Sequence, residues 1–93
     1  MENKKPLISI IILNYNAGDL ILNCINSVVQ TKYENYEIIL VDNVSTDDSH
    51  KKCKEKFEYI QLIENSKNHG YCEGNNIGIR KANGEFIVIL NPD

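Results

Sequence analysis

Glu37-Ile38-Ile39-Leu40-Val41-Asp42-Asn43-Val44-Ser45-Thr46-Asp47-Asp48 is the stretch on which the fold turns. Residues 37–41 are a short apolar run bounded by polar residues, which reads as a buried strand. The run ends in a polar elbow, Asp42-Asn43. Ser45-Thr46-Asp47-Asp48 then has the form of a capping box, a hydroxyl residue followed three positions later by an acid, and predicts a helix from about Asp47. In an open α/β sheet, ligands bind outside the carboxyl ends of the strands. An acid at such an end, on a turn held by a helix start, is well placed to read a ligand.

Upstream, Leu7 to Leu13, LISIIIL, is apolar on both faces apart from Ser9. That pattern fits a central parallel strand covered by helices on both sides. Asn14-Tyr15-Asn16-Ala17-Gly18-Asp19 makes the next turn, with Asn16 as a helix cap and Asp19 favourable to the positive helix end. The helix is expected over about 18–30, with Leu20, Cys24 and Val28 as one buried row and Ile21, Ile25 and Val29 as the adjacent one.

Downstream, a helix over about 47–57 turns Cys53 and Phe57 inward. Its lysines, Lys51, Lys52, Lys54 and Lys56, read as a solvated face, with phosphate binding as the alternative. Tyr59 to Ile63 is a shorter, more polar strand that belongs at the sheet edge. Residues 65–72 read as a loop and about 73–82 as a helix, with Gly84 as a left-handed C-cap. Glu85 to Leu90 is the fourth strand and delivers Asn91-Pro92-Asp93 at its carboxyl end. Strands alternating with helices form a βαβ series with right-handed crossovers. The expected fold is α/β: a Rossmann-like open parallel sheet in the order 3-2-1-4, with helices on both faces. Nothing in the sequence follows the last strand to cover it, so residues 1–93 are expected to be a single domain and a piece of a longer chain.

Composition narrows the function. A net charge of −3 provides no basic footprint for nucleic acid. Three cysteines with no C-x-x-C spacing argue against a disulfide framework and a zinc site, and favour a reducing, cytoplasmic compartment. Met-Glu-Asn-Lys-Lys-Pro leads straight into a strand, without a signal-peptide pattern. The apolar runs, Ile10 to Leu13 among them, are far too short to span a membrane. Neither G-x-G-x-x-G after the first strand nor G-x-x-x-x-G-K-[ST] occurs, which disfavours a dinucleotide dehydrogenase or a P-loop enzyme. A phosphoacceptor receiver would want acids where Asn14-Tyr15-Asn16 stands.

Several residues could carry chemistry. Asp42 can accept a hydrogen bond from a nucleobase N–H or a ribose hydroxyl, or it can serve only the amides of its own turn. Asn43 can act beside it, or merely tolerate a left-handed conformation. Asn91 and Asp93 flank one proline, and two oxygen-bearing side chains so placed can share a hard cation; the alternative is a plain turn. Gly74, Gly78 and Ala82 recur every four residues, which suggests a helix face lying close to the sheet or to a ligand. Asn75 and Asn76 are expected at that helix's start. His69 is a lone loop histidine.

With these residues laid out, the chain resembles the inverting family-2 glycosyltransferases of the GT-A fold, from Leu7 to Asp93. The pieces that carry the resemblance are ISIIILNYN, a helix ending SVVQTKY, YEIILVDNVSTDDS and NHGYCEGNNIGIRKANGEFIVILNPD. The resemblance implies the nucleotide-sugar half of a transferase, with a sheet edge that holds a nucleoside diphosphate and a divalent metal, magnesium or manganese. It implies nucleotide binding by Asn14, Tyr15, Asn16, Asp42, Asn43, Asn68, Gly70, Gly74 and Asn76. Asp42 would take the pyrimidine N–H, and Asn68 and Gly70 match the family's Asn-x-Gly loop. Asn91 and Asp93 match its D-x-D metal motif, with Asp93 as the carboxylate.

Three positions depart from the family pattern. Asn43 replaces the second aspartate of Asp-Asp, Asn75 replaces an arginine, and Asn91 replaces the first aspartate of D-x-D. The combination looks like the branch containing many bacterial rhamnosyltransferases, which makes dTDP-rhamnose a candidate donor beside UDP-sugars. The implied reaction is inverting transfer to the hydroxyl of a glycan or lipid-linked acceptor, as in polysaccharide biosynthesis. The catalytic base would lie beyond these residues, and the full-length protein could associate peripherally with the membrane. The other reading is a non-catalytic binding or interaction module that retains the fold.

Overall fold

A computed structural model describes residues 5–92. Seven elements follow in order: β1 Ile8–Asn14, α1 Asp19–Val29, β2 Tyr36–Asp42, α2 Ser49–Lys56, β3 Gln61–Glu64, α3 Gly70–Lys81 and β4 Phe86–Leu90. The strands form one sheet in the order β3-β2-β1-β4. All three pairings are parallel. The expected topology is therefore the observed one, including the polar strand at one edge, although β3 begins two residues later than the sequence pattern suggests.

The period-two alternation of β1 and β2 distributes their apolar side chains between two layers. Ile12, Ile38 and Leu40 pack with Ile21, Ile25 and Val28 of α1 and with Cys53 of α2. Ile11, Ile39 and Val41 face the other way, where Ile77 and Ile79 of α3 cover them. Ile11, Ile12, Ile39, Leu40 and Val41 are all fully buried. Burial on both faces explains why these strands read as continuous apolar runs, each such side chain contributing about 1.5–3 kcal/mol on leaving water. On β4, by contrast, Phe86 to Ile89 are exposed.

Five local expectations are corrected. The capping box does not form: α2 starts at Ser49, its N-cap is Asp48, and no side chain caps it. Ser45, Thr46 and Asp47 belong to the preceding loop. Asn16 does not cap α1 either; Gly18 occupies that position, and the Asn16 side chain is used elsewhere. Leu20 is half exposed, so the buried stripe of α1 is Ile21, Ile25 and Val28.

Helix α3 starts at Gly70, ahead of the expected residue 73, which moves Asn75 and Asn76 into its second turn. Gly84 is not a left-handed cap, because the left-handed glycines among the described residues are Gly18 and Gly70. Gly84 is instead a point of close approach. A Cβ there would lie 2.6 Å from Ser9 Oγ and 2.8 Å from the Leu7 carbonyl oxygen. The Ser9 hydroxyl accepts the Gly84 N–H and itself donates to Glu37, tying the start of β4 to β1 and β2.

Candidate functional site

Register assembles the site. Asn14 is paired with Asp42, and Asp42 with Glu64, so the last residues of β1, β2 and β3 stand in one row at the carboxyl edge. Asn14 is fully buried. Its Nδ2 donates to Asp42 Oδ1 at 2.9 Å and to Ser49 Oγ at 2.9 Å. Asp42 is 2% exposed. Its Oδ1 also accepts the Ser45 hydroxyl at 2.7 Å, and its Oδ2 accepts the Ser45 amide at 2.9 Å. Asp42 therefore does close its own turn, as one of the two sequence readings has it. The carboxylate nevertheless retains capacity on Oδ2, which has one donor among the described residues while an ionised carboxylate oxygen can accept two.

Asn16 joins the first turn to the second. It has a left-handed backbone, φ 53°. Its Oδ1 accepts the amides of Thr46 at 2.7 Å and Asp47 at 3.1 Å, and its own amide donates to Ser45 Oγ. Asp47 closes the ring by accepting the Gly18 amide and the Ser49 hydroxyl. The Ser49 hydroxyl is the largest influence holding the Asp47 carboxyl below its usual value; burial opposes it, and the Ser49 and Gly18 amides and the His50 charge assist.

Asn43 fastens the loop before α3. Its Nδ2 donates to the Gly70 carbonyl at 3.1 Å, and its Oδ1 accepts from Asn65 Nδ2 at 2.8 Å and from the His69 amide. The left-handed residue of this elbow is not Asn43 but Val44, at φ 59°. That is a sterically costly position for a β-branched side chain. Asn68 Oδ1 accepts the amide of Gly70, whose own φ is 79°. Gly74 is buried, and its close approach is to the sheet: a Cβ there would meet Leu13 Cδ1 at 2.7 Å and Asn43 Nδ2 at 2.9 Å.

The structure thus links Asn14, Asn16, Asp42 and Asn43, and through Asn43 reaches Gly70 and Gly74. Tyr15 is exposed and lines a pocket of about 210 Å³ with Leu13, Ala17, Leu20 and Pro92. Asn91 lies in a second pocket of about 460 Å³, against α1. Asn68 and Asn76 are exposed. The neighbouring Glu73 carboxyl is lowered chiefly by the Arg80 hydrogen bond. Asp93 lies outside the described residues. Asn91 by itself is too poor a ligand set for a divalent ion. Among the described residues no group of three or more His, Cys, Asp or Glu side chains could hold one.

The sequence reading missed Ser49, Asn65 and His50. His50 is 5% exposed. One signal could have found it: His50, Cys53 and Phe57 share the spacing of an inward helix face.

An open parallel sheet with hydrogen-bonding side chains gathered at its carboxyl edge defines the class of α/β domain that takes ligands outside the carboxyl ends of its strands. The model of the family "Glycosyl transferase family 2" matches residues 9–93. The chain belongs to that family. It is 33% identical over 90 residues to the glycosyltransferase GlyG of Streptococcus pneumoniae serotype 4, covering 94% of this chain and 30% of that one. Among solved structures it resembles the mannosyltransferase PcManGT of Pyrobaculum calidifontis, in complex with GDP-Man and Mn2+. There the TM-score is 0.86 at 26% identity, covering 97% of this chain and 28% of that one. It also resembles S. aureus TarS 1-349 in complex with UDP-GlcNAc, with a TM-score of 0.85 at 25% identity over 92% of this chain and 26% of that one. The fold is that of the GT-A glycosyltransferases. The chain spans less than two fifths of the length of these curated relatives. Among the described residues no helix is long and apolar enough to cross a membrane.

Proposed function

We propose that residues 1–93 are the donor-binding domain of a glycosyltransferase whose full-length chain transfers a sugar, with inversion, from a nucleoside-diphosphate sugar to an acceptor hydroxyl. The observation that carries this reading is the network at the carboxyl edge, where Asn14, Asn16, Asp42 and Asn43 are held by hydrogen bonds to one another and to the surrounding loops. Pre-set groups lose little freedom when they bind, which favours affinity. The family's likeness to proteins solved with GDP-Man and with UDP-GlcNAc supports a nucleotide sugar as ligand. Within that reading Asp42 reads the base through its remaining acceptor capacity. Tyr15 lies against the base or ribose, and the segment from Asn68 to Gly74 with Asn76 borders the phosphates. Asp93 and Asn91 hold magnesium or manganese only together with the diphosphate. dTDP-rhamnose and UDP-sugars are the donors to try, and a glycan or lipid-linked hydroxyl is the acceptor class. The site of action is the cytoplasm or the cytoplasmic face of the membrane.

One observation favours the second reading, a binding module without chemistry. Asp42 is 2% exposed and already serves its turn. Calorimetric titration with UDP, GDP and dTDP, with and without manganese, separates the two. Binding that Asp42→Asn weakens by about tenfold, the worth of one hydrogen bond to a charged acceptor, supports the donor-binding domain. No binding at millimolar ligand sinks it, and unchanged affinity in the variant assigns Asp42 to the turn alone.

A further inference from the structure

Among the described residues, His50 is a buried titratable side chain at this edge that the proposed function does not use. It lies in the first turn of α2 and is 5% exposed. Its Nδ1 sits 3.5 Å from Asp42 Oδ1, within ion-pair range but without a hydrogen bond, and is otherwise unpartnered. Its Nε2 sits 3.3 Å from Glu64 Oε1, at the end of β3. Both ring nitrogens therefore face carboxylates on adjacent strands. A neutral imidazole carries one N–H and can satisfy only one of them, whereas an imidazolium donates to both. A buried nitrogen with no partner carries a desolvation cost, so its place against Asp42 calls for a reason.

We propose that His50 is a positioning residue for the nucleotide edge: set between Asp42 and Glu64, it keeps the Asp42 carboxylate turned so that Oδ2 stays free for a ligand N–H. The bridge acts on Oδ1, which already takes Asn14 and Ser45, and leaves Oδ2 with the Ser45 amide alone among the described residues. Asp42 comes from β2, Glu64 from β3, and Asp47 from the loop ahead of α2, where the His50 charge is felt. From β1 the nearby side chain is the uncharged Asn14. On α2 itself, Lys54 is turned away to the Glu58 and Ile60 carbonyls. A charged ring attracts the Asp42 carboxylate across this 3.5 Å gap and a neutral one does not, so nucleotide affinity should be weaker where the ring is neutral.

The proposal rests on the reading of Asp42 as a ligand acceptor, and its test has one arm with nucleotide and one without. Calorimetry with UDP, GDP and dTDP is run between about pH 5 and 8, the range in which histidine changes charge. The variants are His50→Phe, which keeps the buried ring, and His50→Gln, which keeps a donor without the charge. The expected result is a wild-type affinity that weakens toward high pH, a loss of about tenfold in His50→Phe at low pH, and in His50→Gln partial recovery with a flat pH profile.

In the ligand-free arm, hydrogen exchange of the Ser45 amide, which donates to Asp42, should quicken in His50→Phe and be partly restored in His50→Gln. A His50→Phe protein that binds nucleotide as tightly as the wild type, with the same pH profile, overturns the proposal while leaving the donor-binding reading standing. A wild type that binds none of the three nucleotides overturns both. Quickened Ser45 exchange in that case would still mark the bridge as a structural tie. A His50→Phe protein that only melts earlier, with affinity and Ser45 exchange unchanged, reduces His50 to packing and also overturns the proposal.

Discussion

Gly78 should resist even the smallest enlargement, and the direction of the effect is the test. In a solvent-facing helix position, Gly→Ala stabilises by up to about 1 kcal/mol. At Gly78 the new methyl would stand 2.6 Å from Ile11 Cγ2 and 2.9 Å from Val41 Cγ2. Both contacts are with fully buried β-branched side chains on adjacent strands. Such side chains have little rotamer freedom with which to retreat. Overpacking of this kind costs about 1–3 kcal/mol. With the propensity gain subtracted, Gly78→Ala should destabilise by about 1 kcal/mol. For a domain of this size that lowers Tm by roughly 4–8 °C. Thermal unfolding followed by circular dichroism reads it directly. A melting temperature equal to or above that of the wild type would refute the claim that α3 lies on the sheet with no room for a side chain at this turn.

Val44 should give the opposite sign. Its left-handed φ of 59° costs about 1–2 kcal/mol for a residue with a Cβ, while glycine's extra chain entropy returns about 0.5–1 kcal/mol of that. Val44→Gly is therefore expected to stabilise by up to about 1 kcal/mol in urea unfolding, and a loss of stability would argue against the strained elbow. Burial tends to raise the Glu37 carboxyl, but hydrogen bonds from Ser9 and Asn83 outweigh it and hold it below its ordinary value of 4.5. A depressed carboxyl contributes stability above its unfolded value and loses it as pH falls through the folded one. The advantage of the wild type over Glu37→Gln should thus be full above pH 4.5 and fade below it, and a pH-independent difference would be inconsistent. Burial, with a smaller push from Cys24, drives the Cys53 thiol up to about 11. Since the thiolate is the reactive form, a disulfide reagent near neutral pH should label exposed Cys72 first and Cys53 only on unfolding. Labelling of the two at equal rates would contradict the buried placement of Cys53.

The sheet was legible in the sequence because its signals are local. Leu7 to Leu13 and Glu37 to Val41 are apolar on both faces whatever surrounds them, and only a central parallel strand buries both faces. The polar clusters that follow them, at residues 14–16 and 42–43, likewise belong to the sequence, as does the polarity that sends β3 to the edge.

What each polar residue does was not legible. Asn16 and Ser45 have the composition of caps, and in isolation each would satisfy the nearest helix end. In the folded chain Asn14 is set opposite Asp42 by the β1–β2 register, which brings Asn16 to the amides of Thr46 and Asp47, thirty and more residues away. Those long-range bonds displace the local caps, and they exist only once both strands are paired. The same holds for His50. Its spacing to Cys53 and Phe57 turns it inward, but nothing local sets acids against it. Only the packing of α2 over the ends of β2 and β3 sets it between two carboxylates. Gly84 shows the limit from the other side: its spacing after α3 suggests a cap, but the reason for a glycine there is the Ser9 backbone 2.7 Å from the missing Cβ. That contact spans 75 residues, and no local pattern encodes it.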